Sequence, residues 1–269
     1  MGDSRAIGVF DSGLGGLTVA KRIMELMPEE TIVYFGDTGR VPYGTKGVDT
    51  IKKYAVQDER FLISQDVKMV VAACGTVSSV AANTGDGLPV PFVEVISHSV
   101  EDALAAGGRI GVLATPATVK SHAHKSLIKK LSPDTEVFET AAPLLVSLAE
   151  EGWYTRDNEI ARLAIEKYLS EMKSAGIDTL ILGCTHFPVF KDLIEEYLPG
   201  VTLIDMGVSA AKYIKETLIK TGSQNTSGKT PAHKFFVSDM PVTFQKTVKI
   251  FLGENCINIK TDLVDVEKI

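Results

Sequence analysis

The sequence predicts an α/β fold: two pseudo-symmetric, doubly wound halves with mostly parallel sheets and a cleft between them. Three observations predict it. Short apolar runs alternate with amphipathic stretches along the 269 residues, as strand and crossover helix do in a parallel sheet. Four strand-like runs of the first half recur in the second, in the same order and at nearly the same offset. One run in each half ends on a cysteine, Cys74 and Cys184, just before a turn into a helix-like stretch.

Taken along the chain, Ile7-Gly8-Val9-Phe10-Asp11 opens the first half and matches Ile110-Gly111-Val112-Leu113-Ala114-Thr115. The next run, Thr31-Ile32-Val33-Tyr34-Phe35-Gly36-Asp37, matches Thr135-Glu136-Val137-Phe138-Glu139-Thr140. Met69-Val70-Val71-Ala72-Ala73-Cys74 matches Thr179-Leu180-Ile181-Leu182-Gly183-Cys184, and Pro91-Phe92-Val93-Glu94-Val95-Ile96 matches Val201-Thr202-Leu203-Ile204-Asp205-Met206. Chance can supply one such pair, because buried parallel strands are all apolar; four in register indicate related halves. A helix-like stretch over residues 208–221, a polar linker over 222–228 and the strand-like Lys234-Phe235-Phe236-Val237-Ser238-Asp239 lie beyond the repeat. This tail is expected to return to the first half, so the expected domains are residues 1–97 with 208–269, and residues 98–207. Two halves with a cleft make closure around a ligand the natural motion.

Composition narrows the function classes. A 45% hydrophobic and 23% charged chain is globular, and its net charge of -6 favours neither nucleic acid nor an anionic membrane. Three cysteines do not make a disulfide framework and suit a reducing compartment. No run approaches the roughly 18 apolar residues of a membrane span, and the N-terminus carries no signal-type stretch, so a cytoplasmic location is expected.

In open parallel sheets ligands bind beyond the carboxyl ends of the strands. The polar groups there are Asp11 and Ser12, Asp37, Cys74 and Thr76, Thr115, and Cys184, Thr185 and His186. Helix starts attract carboxylates and phosphates, and a helix N-terminus lowers a thiol pKa from about 8.5, so both cysteines are expected to be activated. His186 is a natural partner for Cys184, and Asp11 a strand-end neighbour for Cys74. A lone free cysteine is more often an inert buried hydrophobe, which is how Cys256 is read. The matched placement of the other two argues against that reading for them.

Other motifs carry less. In Asp11-Ser12-Gly13-Leu14-Gly15-Gly16-Leu17 the glycines miss the G-x-G-x-x-G spacing, so a tight turn and a ligand site stand level. His122 and His124 are spaced i, i+2, which no helix face shares, and read as surface histidines. Cys184-x-His186 lacks further ligands at zinc spacing, and no Walker or zincin motif is present; neither a metal nor a cofactor is expected.

Taken together, four ordered motifs resemble the glutamate racemase family of cofactor-independent amino-acid racemases. They are Gly8-Val9-Phe10-Asp11-Ser12-Gly13-Leu14-Gly15-Gly16-Leu17, Gly36-Asp37-Thr38-Gly39-Arg40-Val41-Pro42-Tyr43-Gly44, Ala73-Cys74-x-Thr76 and Gly183-Cys184-Thr185-His186-Phe187-Pro188. Leu148-Ala149-Glu150-Glu151-Gly152 is similar to the family's acidic loop. The resemblance implies L- to D-glutamate interconversion that supplies peptidoglycan synthesis, with Cys74 and Cys184 as bases on opposite faces of Cα. It implies Asp11 and His186 as their assistants and Glu150 as a further polar helper. Ser12, Tyr43, Gly44, Gly75, Thr76, Thr115, Thr118 and Thr185 would then form the substrate-binding set. Relatives usually carry Asn where this chain has Gly75, so an amide contact is missing or replaced, by water or by Ser12. A small-molecule substrate is the expected partner, and a homodimer is compatible with the sequence. An aspartate racemase, a cysteine-dependent amidase or maleate-type isomerase, and a non-catalytic binding module are the alternatives.

Overall fold

The computed structural model describes residues 2–240, 242, 244–253 and 260–268. Its first sheet collects β1 (Ile7–Asp11), β2 (Ile32–Gly36), β3 (Met69–Ala72), β4 (Phe92–Glu94), β9 (Lys234–Val237) and β10 (Thr261–Leu263), in the order β10-β9-β2-β1-β3-β4. The second holds β5 (Ile110–Ala114), β6 (Val137–Ala141), β7 (Thr179–Gly183) and β8 (Thr202–Asp205), in the order β6-β5-β7-β8. The run β2-β1-β3-β4 and the run β6-β5-β7-β8 are the same arrangement twice, and they pair the four repeated segments as the sequence pairs them. Every pairing among the described residues is parallel.

The apolar runs become strands because helices cover both faces of the sheets. β1, β2, β3, β5 and β7 are buried along their whole lengths. In the first half the crossovers are α1 (Leu17–Leu26), α2 (Val48–Ser64) and the short α3 (Gly75–Val80). In the second they are α5 (Pro116–Ser121), α6 (Ala123–Leu131), α7 (Pro143–Glu151), α8 (Glu159–Ala175) and α9 (Lys191–Tyr197). The remaining two, α4 (Val95–Ala106) and α10 (Met206–Thr221), follow the equivalent strands β4 and β8. Each starts on a strand-end carboxylate: Glu94 accepts from the N–H groups of Ile96 and Ser97 at 2.6 and 2.9 Å, and Asp205 from that of Gly207 at 2.8 Å. Such caps satisfy donors that a helix start otherwise leaves orphaned.

α4 and α10 tie the halves together. Ser209 of α10 donates to Asp102 of α4 at 2.7 Å, and Arg22 of α1 reaches Asp205 at 3.5 Å. The expected domain cuts at 97/98 and 207/208 each fall in the first turn of one of these helices. The tail returns to the first half: β9 pairs with β2, and α11 (Phe244–Leu252) follows it. No helix among the described residues is long and apolar enough to cross a membrane.

Two local expectations are corrected. Glu150 lies in the last turn of α7, not in a loop, and Gly152 at φ 77° ends that helix. His124 is fully buried, not a surface residue. Its ring nitrogens have no hydrogen-bond partner among the described residues, and burial pushes the imidazole down to about 4. His122, at φ 53°, breaks the chain between α5 and α6, which turns α6 so that His124 faces inward behind Gly183. Cys256 lies outside the described residues.

Candidate active site

Parallel strands aim their carboxyl ends the same way, so β1, β3, β5 and β7 deliver Ser12, Cys74, Thr115 and Cys184 to one cavity between the halves. The cavity measures about 250 Å³, a size for a small metabolite rather than a nucleotide or peptide. Of the expected residues, Ser12, Tyr43, Gly44, Cys74, Gly75, Thr76, Thr115, Cys184, Thr185 and His186 line it. Asp11, Thr118 and Glu150 stand behind that lining. Pro143, Val146 and Ser147 of α7 also face it, and sequence reasoning missed them because α7 has no counterpart motif in the first half. His186 is the sole basic side chain among the described lining residues.

On the second-half side, Cys184 Sγ lies 3.7 Å from His186 Nδ1, and His186 Nε2 lies 3.2 Å from Glu150 Oε1. Burial opposes a charged ring here. The contacts with Cys184 and Glu150 outweigh it and bring His186 up to about 10, an imidazolium at neutral pH. The expected helix start at Cys184 is absent. A 3-10 turn over Phe187–Phe190, with Pro188 in it, comes first, and α9 begins only at Lys191. The electrostatic partner of Cys184 is therefore the histidine and not a helix terminus.

The first-half side is chemically different. Cys74 is the N-cap of α3, but burial, and then the charge of Asp11, push its thiol up to about 12. The Ser12 hydroxyl at 3.5 Å and the Val77 N–H act the other way and lose. The expected activation of Cys74 by a helix start is thus corrected: a helix of two turns cannot offset full desolvation plus a neighbouring carboxylate. Burial likewise raises the Asp11 carboxyl. One of its oxygens accepts the Gly13 N–H at 3.0 Å, and the other has no hydrogen-bond partner among the described residues.

The glycine-rich turn after β1 serves packing. A Cβ on Gly15 would lie 2.5 Å from the His186 ring, and one on Gly16 would lie 2.5 Å from the Asp11 Cβ. Only bare backbone lets this turn come so close to the second half at Gly15 and to β1 at Gly16. Thr18 of α1 completes the contact by donating to the Thr185 carbonyl at 3.0 Å.

Hydroxyls line the floor. Thr76 and Thr115, one from each half, are 3.1 Å apart, and Thr115 is 3.0 Å from Thr118. Thr118 itself is fully buried and orients Thr115 rather than facing the cavity. Tyr43 faces it with ring and main chain only, because its hydroxyl is bonded to Asp37 and Asp58.

The family profile described as Asp/Glu/Hydantoin racemase matches residues 15–214. A glutamate racemase of Neisseria meningitidis is 43% identical over 267 residues, 97% of each chain. The crystal structure of glutamate racemase from Francisella tularensis in complex with D-glutamate superposes with a TM-score of 0.92 at 38% identity, covering 99% of this chain and 100% of that one. That of Thermus thermophilus glutamate racemase in complex with beta-chloro-D-alanine gives 0.88 at 34% identity and covers 100% of each chain. With the same architecture and such identity over nearly its whole length, this chain belongs to the Asp/Glu/hydantoin racemase family.

Proposed function

We propose that this chain interconverts L- and D-glutamate by passing the Cα proton between Cys74 and Cys184, with no cofactor. The observation that carries the reading is the pair of thiols, one from each half, facing a single small cavity. Racemases of that name span nearly all of the chain.

The Cα proton beside a carboxylate is weakly acidic, so inversion needs a base on one face, an acid on the other, and donors for the charge that develops. In one direction Cys184 acts as the thiolate, paired with the His186 imidazolium that Glu150 holds in place, and its sulfur takes the Cα proton. Cys74 enters that turnover as the thiol, the form its surroundings favour, and delivers its proton to the opposite face. The cycle ends with Cys184 protonated and Cys74 as thiolate; in the reverse direction the roles exchange. Asp11 sets the proton affinity of Cys74 through its charge.

The hydroxyls of Ser12, Thr76, Thr115 and Thr185, with the main chain at Tyr43, Gly44 and Gly75, hold the amino and carboxylate groups. These groups stand in place of a cationic clamp, since no lysine or arginine is among the described residues that line the cavity. Thr118 fixes Thr115. The two domains are residues 1–97 with 208–269, and residues 98–207; the repeated strand order and the return of β9 to β2 support that division. The product D-glutamate serves peptidoglycan synthesis in the cytoplasm, and two copies form a homodimer, an assembly read by sedimentation.

The test is incubation of purified protein with L-glutamate in plain buffer, following optical activity. Decay to the racemic mixture supports the reading. Turnover of aspartate with none of glutamate overturns the substrate, and ammonia release from an amide substrate overturns the reaction class.

A further inference from the structure

Beneath the edge of the cavity lies a closed polar group that the proton transfer does not use. Tyr43, in the 3-10 turn Tyr43–Thr45, hydrogen-bonds Asp37 through its hydroxyl, and the same oxygen is 3.0 Å from Asp58 Oδ2. Arg40 donates from Nε to Asp37 Oδ2 at 2.6 Å and from Nη2 to Asp58 Oδ1 at 2.9 Å. Ser238, at the end of β9, donates to Asp37 Oδ1 at 2.7 Å. Arg40 also stacks 4.0 Å over the Tyr54 ring. Asp37 and Asp58 are fully buried.

Counting protons and charges assigns the state of this group. A tyrosine hydroxyl has one proton and can donate to one carboxylate, yet two carboxyl oxygens face it. Two carboxylates with one guanidinium also leave an uncompensated negative charge in the interior, which is expensive. One proton on Asp58 resolves both: its O–H donates to the Tyr43 oxygen, Tyr43 donates to Asp37, and Asp37 balances Arg40. Burial, and then the charge of Asp37, hold the Asp58 carboxyl well above the usual carboxylate range.

We propose that Asp58, as the neutral acid, is a positioning residue for the substrate: it fixes the Tyr43 hydroxyl and through it the main chain of residues 41–44 along the cavity wall. Asp58 sits on α2, away from the cavity, while Val41, Pro42, Tyr43 and Gly44 all line it. Gly44 also packs on Thr115 of the second half, where an added Cβ would lie 3.2 Å from the threonine Cβ. Loss of the Asp58 contact therefore loosens the binding edge and leaves the thiols, just beyond β3 and β7, in place. The inference rests on reading that cavity as the glutamate site.

The experiment compares wild type with Asp58→Ala, Asp58→Asn and Tyr43→Phe, measuring racemisation kinetics and, without substrate, amide hydrogen exchange over residues 38–46. Asp58→Asn keeps a neutral donor for Tyr43 and an acceptor for Arg40. Asp58→Ala is expected to raise KM about tenfold with kcat within about twofold, and to speed exchange over residues 38–46. Asp58→Asn restores both readings towards wild type. Tyr43→Phe, which removes one oxygen and keeps the ring, repeats the KM effect if the alanine variant does not fold. The double variant Asp58→Ala/Tyr43→Phe loses less than the sum of the two single effects, since both remove the Tyr43–Asp58 contact that they share. An asparagine variant as impaired as the alanine one, a loss in kcat at constant KM, or unchanged exchange in Asp58→Ala would overturn the proposal. A wild type inactive on glutamate sinks the racemase reading instead, and the exchange comparison still decides the role of Asp58.

Discussion

Gly75 and Gly183 meet across the cleft: a Cβ on Gly75 would lie 2.7 Å from the Gly183 carbonyl oxygen. Gly75 follows Cys74 and Gly183 precedes Cys184, so this backbone contact sets how closely the two thiols face one another. It also accounts for the departure from the asparagine that the resemblance leads one to expect. In this chain a side chain at position 75 would require the Gly183 main chain and Met206, whose Cε lies 3.2 Å from the same point, to shift.

Gly75→Ala and Gly75→Asn should therefore force the strand ends apart. A displacement of about 1 Å between reacting groups costs on the order of a hundredfold in rate, so kcat/KM should fall by about that factor, alongside an overpacking cost to stability of about 1–3 kcal/mol. Racemisation kinetics at wild-type level in both variants would show that the contact does not set the thiol spacing.

The thiols should differ in reactivity although their exposures, 5% and 6%, are nearly equal. With Cys74 at about 12, its thiolate fraction at pH 8 is on the order of 10⁻⁴. Cys184 stands beside an imidazolium. Brief iodoacetamide treatment of the free enzyme at pH 8, read by peptide mass spectrometry, should modify Cys184 well before Cys74. Equal labelling would contradict the asymmetry.

His186 also links stability to pH. Its folded value is raised from 6.5 to about 10, so its contribution is fully present below pH 6.5 and is lost as pH rises through about 10. Urea denaturation between pH 7 and 10 should show wild type losing stability more steeply than His186→Asn, by at most about 1.4 kcal/mol per pH unit. Parallel slopes would mean the ring is neutral in the folded protein.

Much of this site was legible in the chain. The repeat predicted two halves with four matching strands each, because fully buried parallel strands are continuous apolar runs; their order within the sheets came from the structure. The carboxyl-end rule then picked out Ser12, Cys74, Thr76, Thr115 and Cys184, which all line the cavity. What sequence could not show was direction and depth. Tyr43 reaches the cavity with its hydroxyl turned away, a choice made by Asp58 on another helix. Phe251, from the tail, sets its ring edge-on against His186 with centroids 5.2 Å apart, a contact between residues far apart in the chain. The stretch after His186 opens as a 3-10 turn, Phe187–Phe190, so α9 starts too late to act on Cys184. His124 depends on one left-handed residue, His122, which no spacing rule reveals.

The buried His124 yields an opposite pH dependence. Its value falls from 6.5 to about 4 on folding, so stability should drop as pH falls from 6.5 towards 4, by up to about 3 kcal/mol from this group alone. His124→Leu should flatten that part of the stability profile, as read by denaturant titration. An unchanged acid limb would place the cause on the carboxylates.

The central claim is two thiols exchanging one proton, and solvent deuterium at early times tests it most directly. In deuterated water, with L-glutamate and initial-rate sampling, the acid thiol on the far face already carries deuterium. The D-glutamate formed should then hold one deuterium at Cα while the remaining L-glutamate keeps its protium, and Cys74→Ser or Cys184→Ser should each abolish this turnover. Deuterium appearing equally early in both enantiomers, or racemisation surviving either serine substitution, would contradict the two-thiol account.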